Sequence, residues 1–163
     1  MRIVFFGTPG FAVPSLRALL EEGFDVAAVV TQPDRPHGRS RSQTIPSPVK
    51  LAALEEDLPV LQPERPVGPF AAELQTCQPD LGVVVAYGQI LRENILECAP
   101  RGAINVHASL LPKYRGAAPI QWAIANGETR TGLTTMQLNR GMDTGPILLQ
   151  RACAIDPEDT TAT

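Results

Sequence analysis

Short apolar segments rich in β-branched residues alternate along the chain with segments of helical character. The segment 80–86 is the most apolar of these, and 2–6 and 24–31 resemble it in composition. Continuous apolar strands of this kind are typical of a sheet buried on both faces, in which parallel strands are joined by helices. The alternation therefore predicts an α/β fold with a Rossmann-like, mostly parallel sheet flanked by helices.

Apolar patterns and turn residues predict the remaining strands and helices as well. The predicted strands are 2–6, 24–31, 58–61, 80–86 and 103–108, and the predicted helices are 12–22, 48–57, 68–77, 90–99 and 119–125. Two more strands, 132–138 and 147–155, are joined by a loop without room for a crossover helix, so we expect an antiparallel pair near the C-terminus. The segment 32–46 lacks apolar periodicity and is predicted to be a long loop.

The length and composition fit one packed globular domain. A chain of 163 residues can bury one substantial core, and 44% hydrophobic with 19% charged residues is unlike the composition of disordered chains. No run approaches the roughly 18 apolar residues of a membrane-spanning helix. The turn at 7–10 interrupts the N-terminal apolar run too early for a signal peptide, so a cytoplasmic protein is predicted.

The three cysteines, Cys77, Cys98 and Cys153, are widely spaced and form no C-x-x-C pattern. Neither a disulfide framework nor a zinc site is indicated by such spacing. We therefore expect small, buried hydrophobic side chains at these positions and no metal site.

The formal net charge of −3 conceals a local concentration of positive charge. Between Pro33 and Lys50 the chain carries four of its 14 basic residues against one of its 17 acidic residues. The four are Arg35, Arg39, Arg41 and Lys50. A charge run is more often a solvated, disordered loop than a contact to nucleic acid, so the pattern by itself leaves both interpretations open.

Asn105 and His107 are polar residues at the end of an otherwise apolar predicted strand. Because they are two residues apart, their side chains project from the same face. Open α/β sheets bind ligands at the carboxyl ends of their strands, so the pair is a candidate site. A structural histidine beside an asparagine that caps a turn is about equally compatible with this pattern.

Asp143 lies between two glycines in Gly141-Met142-Asp143-Thr144-Gly145. Glycines permit backbone conformations that other residues resist, and such a loop could bring a carboxylate to the edge of the sheet. An ordinary turn with an Asx hydrogen bond is the alternative. The Asp-Thr-Gly tripeptide also occurs in aspartic proteases, but here it is present once and without a paired domain.

Three segments together resemble a known family, the folate-dependent formyltransferases. Residues 105–120, Asn-Val-His-Ala-Ser-Leu-Leu-Pro-Lys-Tyr-Arg-Gly-Ala-Ala-Pro-Ile, resemble the central signature of that family. Asp143-Thr144-Gly145 resembles its second loop, and residues 85–91 resemble the segment that lines its folate pocket. The resemblance covers essentially the whole chain. It implies a formyltransferase catalytic domain over 1–163, truncated so that the family's C-terminal, barrel-like tRNA-binding domain is absent.

The resemblance also implies a reaction, acyl transfer from 10-formyltetrahydrofolate through a tetrahedral intermediate. Asn105 would then donate to the oxyanion and His107 would supply a second donor. Asp143 would orient His107 and help to relay the proton of the amine. The folate-binding residues that the resemblance implies are Tyr87, Gly88, Gln89, Ile90, Leu91, Ser109, Leu110, Leu111 and Pro112.

The segment Thr31-Gln32-Pro33-Asp34-Arg35-Pro36, with Gly38-Arg39 and 46–50, resembles the members of the family that formylate methionyl-tRNA. In those members this loop reaches the acceptor end of the tRNA. The resemblance implies initiator methionyl-tRNA as the partner, translation initiation as the process, and Arg35, Arg39, Arg41 and Lys50 as RNA contacts. We expect a monomer. The alternatives are a sugar-nucleotide or purine-pathway formyltransferase, or a non-catalytic RNA-binding module.

Overall fold

The computed structural model describes residues 1–37 and 43–163. The chain forms two compact units, Met1–Ala103 and Ile104–Thr163. Arg39 and Arg41, two of the predicted RNA contacts, lie outside the described residues.

The first unit contains a parallel sheet and the helices that connect its strands. In chain order its elements are β1 (Arg2–Gly7), α1 (Val13–Glu21), β2 (Asp25–Val30), β3 (Arg35–His37), β4 (Gln43–Ile45), α2 (Pro48–Glu55), β5 (Val60–Leu61), α3 (Pro69–Thr76), β6 (Leu81–Val85) and α4 (Glu93–Leu96). The order of the parallel strands is β5-β2-β1-β6. Strands β3 and β4 form a separate antiparallel ribbon.

The core of this unit is built on the central strand β1, whose residues after Arg2 are all buried. Ile3 and Phe5 project from one face of the strand and Val4 from the other, and none is more than 1% exposed. The helices complete the core with one apolar face each, such as Leu16 of α1. Burying a side chain of this size stabilises the fold by about 1.5–3 kcal/mol, so the continuous apolar strands explain why the sheet is covered on both sides.

Helix α2 begins with the sequence signals expected of a helix start. Ser47 is the N-cap, and its Oγ accepts a hydrogen bond from the backbone N–H of Lys50 at 3.0 Å. Pro48 occupies the first helical position, where its missing N–H costs nothing. This start determines the place of Lys50 in the first turn of the helix.

The second unit is antiparallel. Its elements are β7 (Ala103–His107), of which all but the first residue belong to this unit, α5 (Pro119–Ala125), β8 (Arg130–Gln137) and β9 (Ile147–Ala154). Strand β8 pairs antiparallel with both β7 and β9. The predicted antiparallel pair near the C-terminus is thus confirmed, and so is the fold class, a mostly parallel sheet with flanking helices.

Two predicted elements differ from the structure. The segment 32–46 is not a continuous loop, because β3 and β4 pair through their backbones, with Pro36 opposite Thr44. Backbone pairing needs no apolar periodicity, so the sequence pattern did not reveal it. The predicted helix 90–99 shortens to α4, because the chain is still extended at Arg92 (φ −78°, ψ 163°). Ile90 is 77% exposed, so its apolar character does not mark a buried helical face.

None of the helices in the described ranges combines the length and the apolar character that crossing a membrane would require.

Candidate active site

Asn105 and His107 lie on one face of β7, as their spacing predicts. In the register with β8, Asn105 is opposite Met136 and His107 is opposite Thr134. Both of these β8 residues are fully buried. His107 is the last residue of β7, so its imidazole lies at the carboxyl end of the strand.

Both ring nitrogens of His107 face oxygen atoms. Nε2 lies 2.8 Å from the carbonyl oxygen of Tyr114, and Nδ1 lies 3.6 Å from Oδ2 of Asp143. A carbonyl oxygen can only accept a hydrogen bond, so Nε2 carries a proton and Nδ1 is the nitrogen that can gain or lose one. The side chains of His107 and Asp143 are 7% and 13% exposed. Limited solvent access strengthens the attraction between a protonated Nδ1 and the carboxylate.

The carboxylate of Asp143 is held in place by a second contact. Its Oδ2 accepts a hydrogen bond from the backbone N–H of Gly116 at 2.7 Å. Asp143 adopts a positive φ of 49°, a conformation that Asp and Asn tolerate better than other residues with a side chain. The backbone conformation at this position is therefore compatible with an aspartate.

The glycines that flank Asp143 act through close packing. Neither Gly141 nor Gly145 has a positive φ, so neither uses the backbone freedom that glycine permits. A Cβ at Gly145 would overlap the carbonyl oxygen of Gln137, and a Cβ at Gly141 would overlap Oγ1 of Thr144. The two glycines allow the loop to fold on itself and to approach β8.

The side-chain amide of Asn105 has no hydrogen bond to any residue in 1–37 or 43–163. The residue is half-buried, so this amide does not have full access to water. A partly desolvated donor without an internal partner is available to a ligand oxygen.

The turn from Ser109 to Leu111 is anchored to β8 and β9 through the buried hydroxyl of Thr134. This hydroxyl donates to the carbonyl oxygen of Ser109 at 2.6 Å and accepts from the backbone N–H of Leu111 at 3.1 Å. Nε2 of Gln150 donates to Oγ1 of Thr134 and to the carbonyl oxygen of Leu111, each at 2.9 Å. The predicted folate-binding turn is thereby fixed by side chains that do not belong to it.

Sequence reasoning missed four residues of this unit that position the predicted ones: Tyr114, Gly116, Thr134 and Gln150. A signal was present for Thr134, because it alternates with Gly132 and Met136 on the buried face of β8. A polar side chain at a buried strand position needs a partner, and that requirement could have identified it. Tyr114 and Gly116 act through backbone groups, which a sequence does not distinguish.

In the first unit, the predicted folate-binding segment 87–91 begins with a tightly held turn. The carbonyl oxygen of Tyr87 accepts hydrogen bonds from Oγ1 of Thr8 at 2.8 Å and from Nε2 of Gln32 at 3.0 Å. The Tyr87 ring is 1% exposed and meets Phe6 edge-on at 5.7 Å between ring centres. The Tyr87 side chain is therefore part of the core, and its carbonyl marks a fixed point of the backbone.

The two described basic residues of the predicted RNA-binding set differ in their surroundings. Arg35 is exposed on β3, and its Nη2 donates to Oε1 of Gln32 at 2.6 Å. The ammonium of Lys50 lies 2.7 Å from Oδ2 of Asp34 and 2.7 Å from Oε1 of Gln62. Arg35 is thus exposed and contacts one glutamine, whereas Lys50 is already engaged inside the unit.

Comparison with known proteins assigns the chain to a family. Residues 1–163 match the family model described as formyl transferase. The chain belongs to the formyl transferase family. This formyl transferase is 58% identical to the methionyl-tRNA formyltransferase of Pelotomaculum thermopropionicum over 100% of its own length and 52% of the relative's. It is 54% identical to that of Geobacter metallireducens, over 98% of this chain and 51% of the relative. The chain spans about half the length of the curated relatives it matches.

Solved structures share the fold of this formyl transferase. Phosphoribosylglycinamide formyltransferase from Bacillus halodurans matches with a TM-score of 0.80 and 25% identity, over 99% of this chain and 84% of that one. Glycinamide ribonucleotide transformylase 1 from Geobacillus kaustophilus matches with a TM-score of 0.77 and 26% identity, over 99% and 86%. The fold matches thus span nearly the whole formyl transferase chain.

Proposed function

We propose that this chain transfers the formyl group of 10-formyltetrahydrofolate to the α-amino group of methionyl-initiator tRNA, a step of translation initiation. The observation that carries the proposal is the shielded contact between His107 and Asp143 at the end of β7, in a member of the formyl transferase family. Relatives named methionyl-tRNA formyltransferase, 54–58% identical, support the choice of acceptor.

The reaction requires one oxyanion to be stabilised and one proton to be moved. The amine nitrogen attacks the formyl carbon, and a tetrahedral intermediate forms with negative charge on the formyl oxygen. The bond from that carbon to N10 of the folate then breaks, while the proton lost by the amine nitrogen reaches N10. No covalent intermediate with the protein is needed, so positioned donors and a proton relay are sufficient.

Three side chains of the second unit fit these tasks. The amide of Asn105, which has no partner in the described chain, would donate to the oxyanion. His107 would donate from a protonated Nδ1, because its Nε2–H is held by the Tyr114 carbonyl. Asp143 would stabilise that imidazolium and accept the amine proton in turn. One oxyanion donor of this type typically contributes about 10²–10³ in kcat.

The donor would be bound mainly by backbone groups and apolar side chains. In the first unit we propose Tyr87, Gly88, Gln89, Ile90 and Leu91 as donor contacts. In the second unit we propose Ser109, Leu110, Leu111 and Pro112. The anchored turn before Pro112 supports this choice, because its backbone groups are held at fixed positions.

For the RNA we propose phosphate contacts by Arg35, Arg39 and Arg41. Phosphate contacts give affinity and position rather than sequence specificity. Lys50 was predicted with them, but its pairing with Asp34 supports a role within the protein instead.

The test is a transfer assay with 10-formyltetrahydrofolate labelled in its formyl group. We expect label on methionyl-tRNA and none on free methionine or phosphoribosylglycinamide. Transfer to phosphoribosylglycinamide in place of methionyl-tRNA would instead support a purine-pathway enzyme. RNA binding without transfer, unchanged in Asn105→Ala and His107→Ala, would support a non-catalytic RNA-binding module.

A further inference from the structure

A closed cluster of polar side chains lies at the base of the 32–46 segment, and we call Asp34, Lys50 and Gln62 the polar clamp. The Lys50 ammonium donates to Asp34 and to Gln62, both at 2.7 Å. Nε2 of Gln62 donates to Oδ1 of Asp34 at 2.7 Å and to the carbonyl oxygen of Gln32 at 3.0 Å. Each member of the polar clamp bonds to both others, so the cluster holds the chain at residues 32–34 against α2.

The polar clamp is partly shielded and uses most of its own hydrogen-bonding capacity. The side chains of Lys50 and Asp34 are 21% and 25% exposed. Both carboxylate oxygens of Asp34 and both hydrogens of the Gln62 amide have partners. A satisfied network in a region of reduced solvent access is rigid, so it holds the backbone at residues 32–34 in a fixed position.

Gln32 connects this base to the turn at Tyr87 through its side chain. Its Oε1 accepts from Nη2 of Arg35 at 2.6 Å, and its Nε2 donates to the carbonyl oxygen of Tyr87 at 3.0 Å. One amide therefore joins an exposed arginine of the 32–46 segment to the backbone at the start of residues 87–91. A charged donor on Oε1 polarises the amide and strengthens the hydrogen bond that Nε2 donates.

The turn that Gln32 contacts has an uncommon backbone. Ala86 and Gly88 have φ values of 47° and 87°, in the left-handed region. A Cβ at Gly88 would overlap Nε2 of Gln32, so the absence of a side chain there permits the contact. Because the backbone conformation at Ala86 is intrinsically unfavourable, its persistence depends on external bonds such as those to the Tyr87 carbonyl.

We propose that Gln32 is a positioning residue that couples RNA binding at Arg35 to donor binding at residues 87–91. The inference rests on the proposed function. RNA held by Arg35 fixes the Gln32 amide, and the fixed amide pre-organises the Tyr87 turn for the donor. Binding of the first substrate thus reduces the ordering that the second must cause. Coupling of two binding sites is reciprocal, so the donor strengthens RNA binding by the same factor.

The experiment measures the KM for 10-formyltetrahydrofolate at a low and at a saturating concentration of methionyl-tRNA. Couplings of this kind are typically at least about 5-fold, so we expect the donor KM of the unchanged protein to fall by about that factor. Gln32→Ala should abolish the fall. Gln32→Glu retains an acceptor for Arg35 but loses the donor to Tyr87, so it should abolish the fall as well. Gln75→Ala, an exposed glutamine of α3, is the matched control and should retain it.

The possible results separate this inference from the proposed function. Loss of coupling in both Gln32 variants, with thermal unfolding close to that of the control, supports it, since a purely structural role would not change a ratio of KM values. An equal fall in Gln32→Glu and in the unchanged protein overturns it, as does a donor KM that is independent of methionyl-tRNA in every protein. No transfer to methionyl-tRNA by the unchanged protein overturns the proposed function as well.

Discussion

The carbonyl oxygen of Tyr114, 2.8 Å from Nε2 of His107, determines which nitrogen of that ring can exchange protons. Because this carbonyl only accepts, Nε2 retains its proton in every state that preserves the contact. Proton exchange is then confined to Nδ1, the nitrogen that faces Asp143 at 3.6 Å. The Tyr114 carbonyl, which is outside the predicted catalytic trio, thus makes Nε2 of His107 a fixed donor and leaves Nδ1 to exchange protons.

Asp143→Asn tests that assignment without disturbing the backbone. Asn tolerates the positive φ of 49° at this position, and its carbonyl oxygen can still accept from Gly116. What it loses is the negative charge beside Nδ1. We expect kcat to fall by about 10²–10⁴, the usual contribution of a positioned acid or base, with little change in the KM for the donor.

Asp156→Asn is the matched control for charge, because Asp156 is an exposed carboxylate of the same unit. It should leave kcat within about two-fold. If Asp143→Asn also stayed within that range, the proton relay would have to be abandoned.

Thr134→Val tests the anchoring of the Ser109–Leu111 turn. Valine has nearly the same shape but leaves the N–H of Leu111 without its acceptor in a buried place. An unsatisfied buried donor costs about 1–3 kcal/mol, and we expect the free energy of unfolding to fall by that amount. The donor KM should rise at the same time, because the turn is a proposed donor contact. Thermal unfolding and initial rates measure the two effects.

Two further variants make this test specific. Thr134→Ser retains the hydroxyl and should restore most of the donor affinity. Thr135→Val changes a neighbour on the opposite face of β8, where the hydroxyl has only a long contact of 3.5 Å to the Leu149 carbonyl. Equal effects of Thr134→Val and Thr135→Val would show that the turn does not depend on this hydroxyl.

Much of the fold could be predicted because burial imposes a strong pattern on its strands. The apolar strand 80–86 corresponds to β6 (Leu81–Val85), and the Ser47-Pro48 signal correctly located the start of α2. The ribbon of β3 and β4 could not be predicted in this way, because its pairing depends on backbone bonds between short, mostly exposed segments. The helix predicted over 90–99 is longer than α4, because the apolar residues of that segment are not all buried and so do not mark one helical face.

The candidate site also contains residues that the sequence could predict and contacts that it could not. Side-chain types revealed Asn105, His107 and Asp143, and strand spacing correctly placed the first two on one face. The contact between His107 and Asp143 joins residues 36 positions apart and could not follow from spacing. The bonds of Tyr114 and Gly116 come from backbone groups, which every residue possesses. Lys50 shows the limit of charge reasoning, because a positive residue in a basic run is paired internally.

Tyr87→Phe should stabilise the protein. The phenol oxygen of Tyr87 is buried without a hydrogen-bond partner among residues 1–37 and 43–163, so its removal should raise the free energy of unfolding by about 1 kcal/mol. Burial also raises the pKa of Tyr87 to about 12 from its ordinary 10.0. Between these values the unfolded chain ionises first, so stability falls as pH rises. The difference in the free energy of unfolding between Tyr87→Phe and the unchanged protein should therefore increase from pH 10 to 12 in denaturant unfolding. If Tyr87→Phe were less stable than the unchanged protein at pH 7, the phenol oxygen could not be an unsatisfied buried group.

The polar clamp should weaken in acid, with a sign that follows from Asp34. The hydrogen bonds from Lys50 and Gln62 hold the pKa of Asp34 below its ordinary value of 3.8. A carboxyl group with a lowered folded pKa contributes its stability above the unfolded pKa and loses it as pH falls through the folded one. The free energies of unfolding in urea of the unchanged protein and of Asp34→Asn should therefore differ by a constant amount above about pH 5 and converge below 3.8.

Lys50→Met is the control, because it removes the main cause of the lowered pKa of Asp34. In that background, Asp34→Asn should change the dependence of stability on acid much less. If the difference between the unchanged protein and Asp34→Asn were the same at pH 3 and pH 7, the ion pair would contribute nothing to holding residues 32–34.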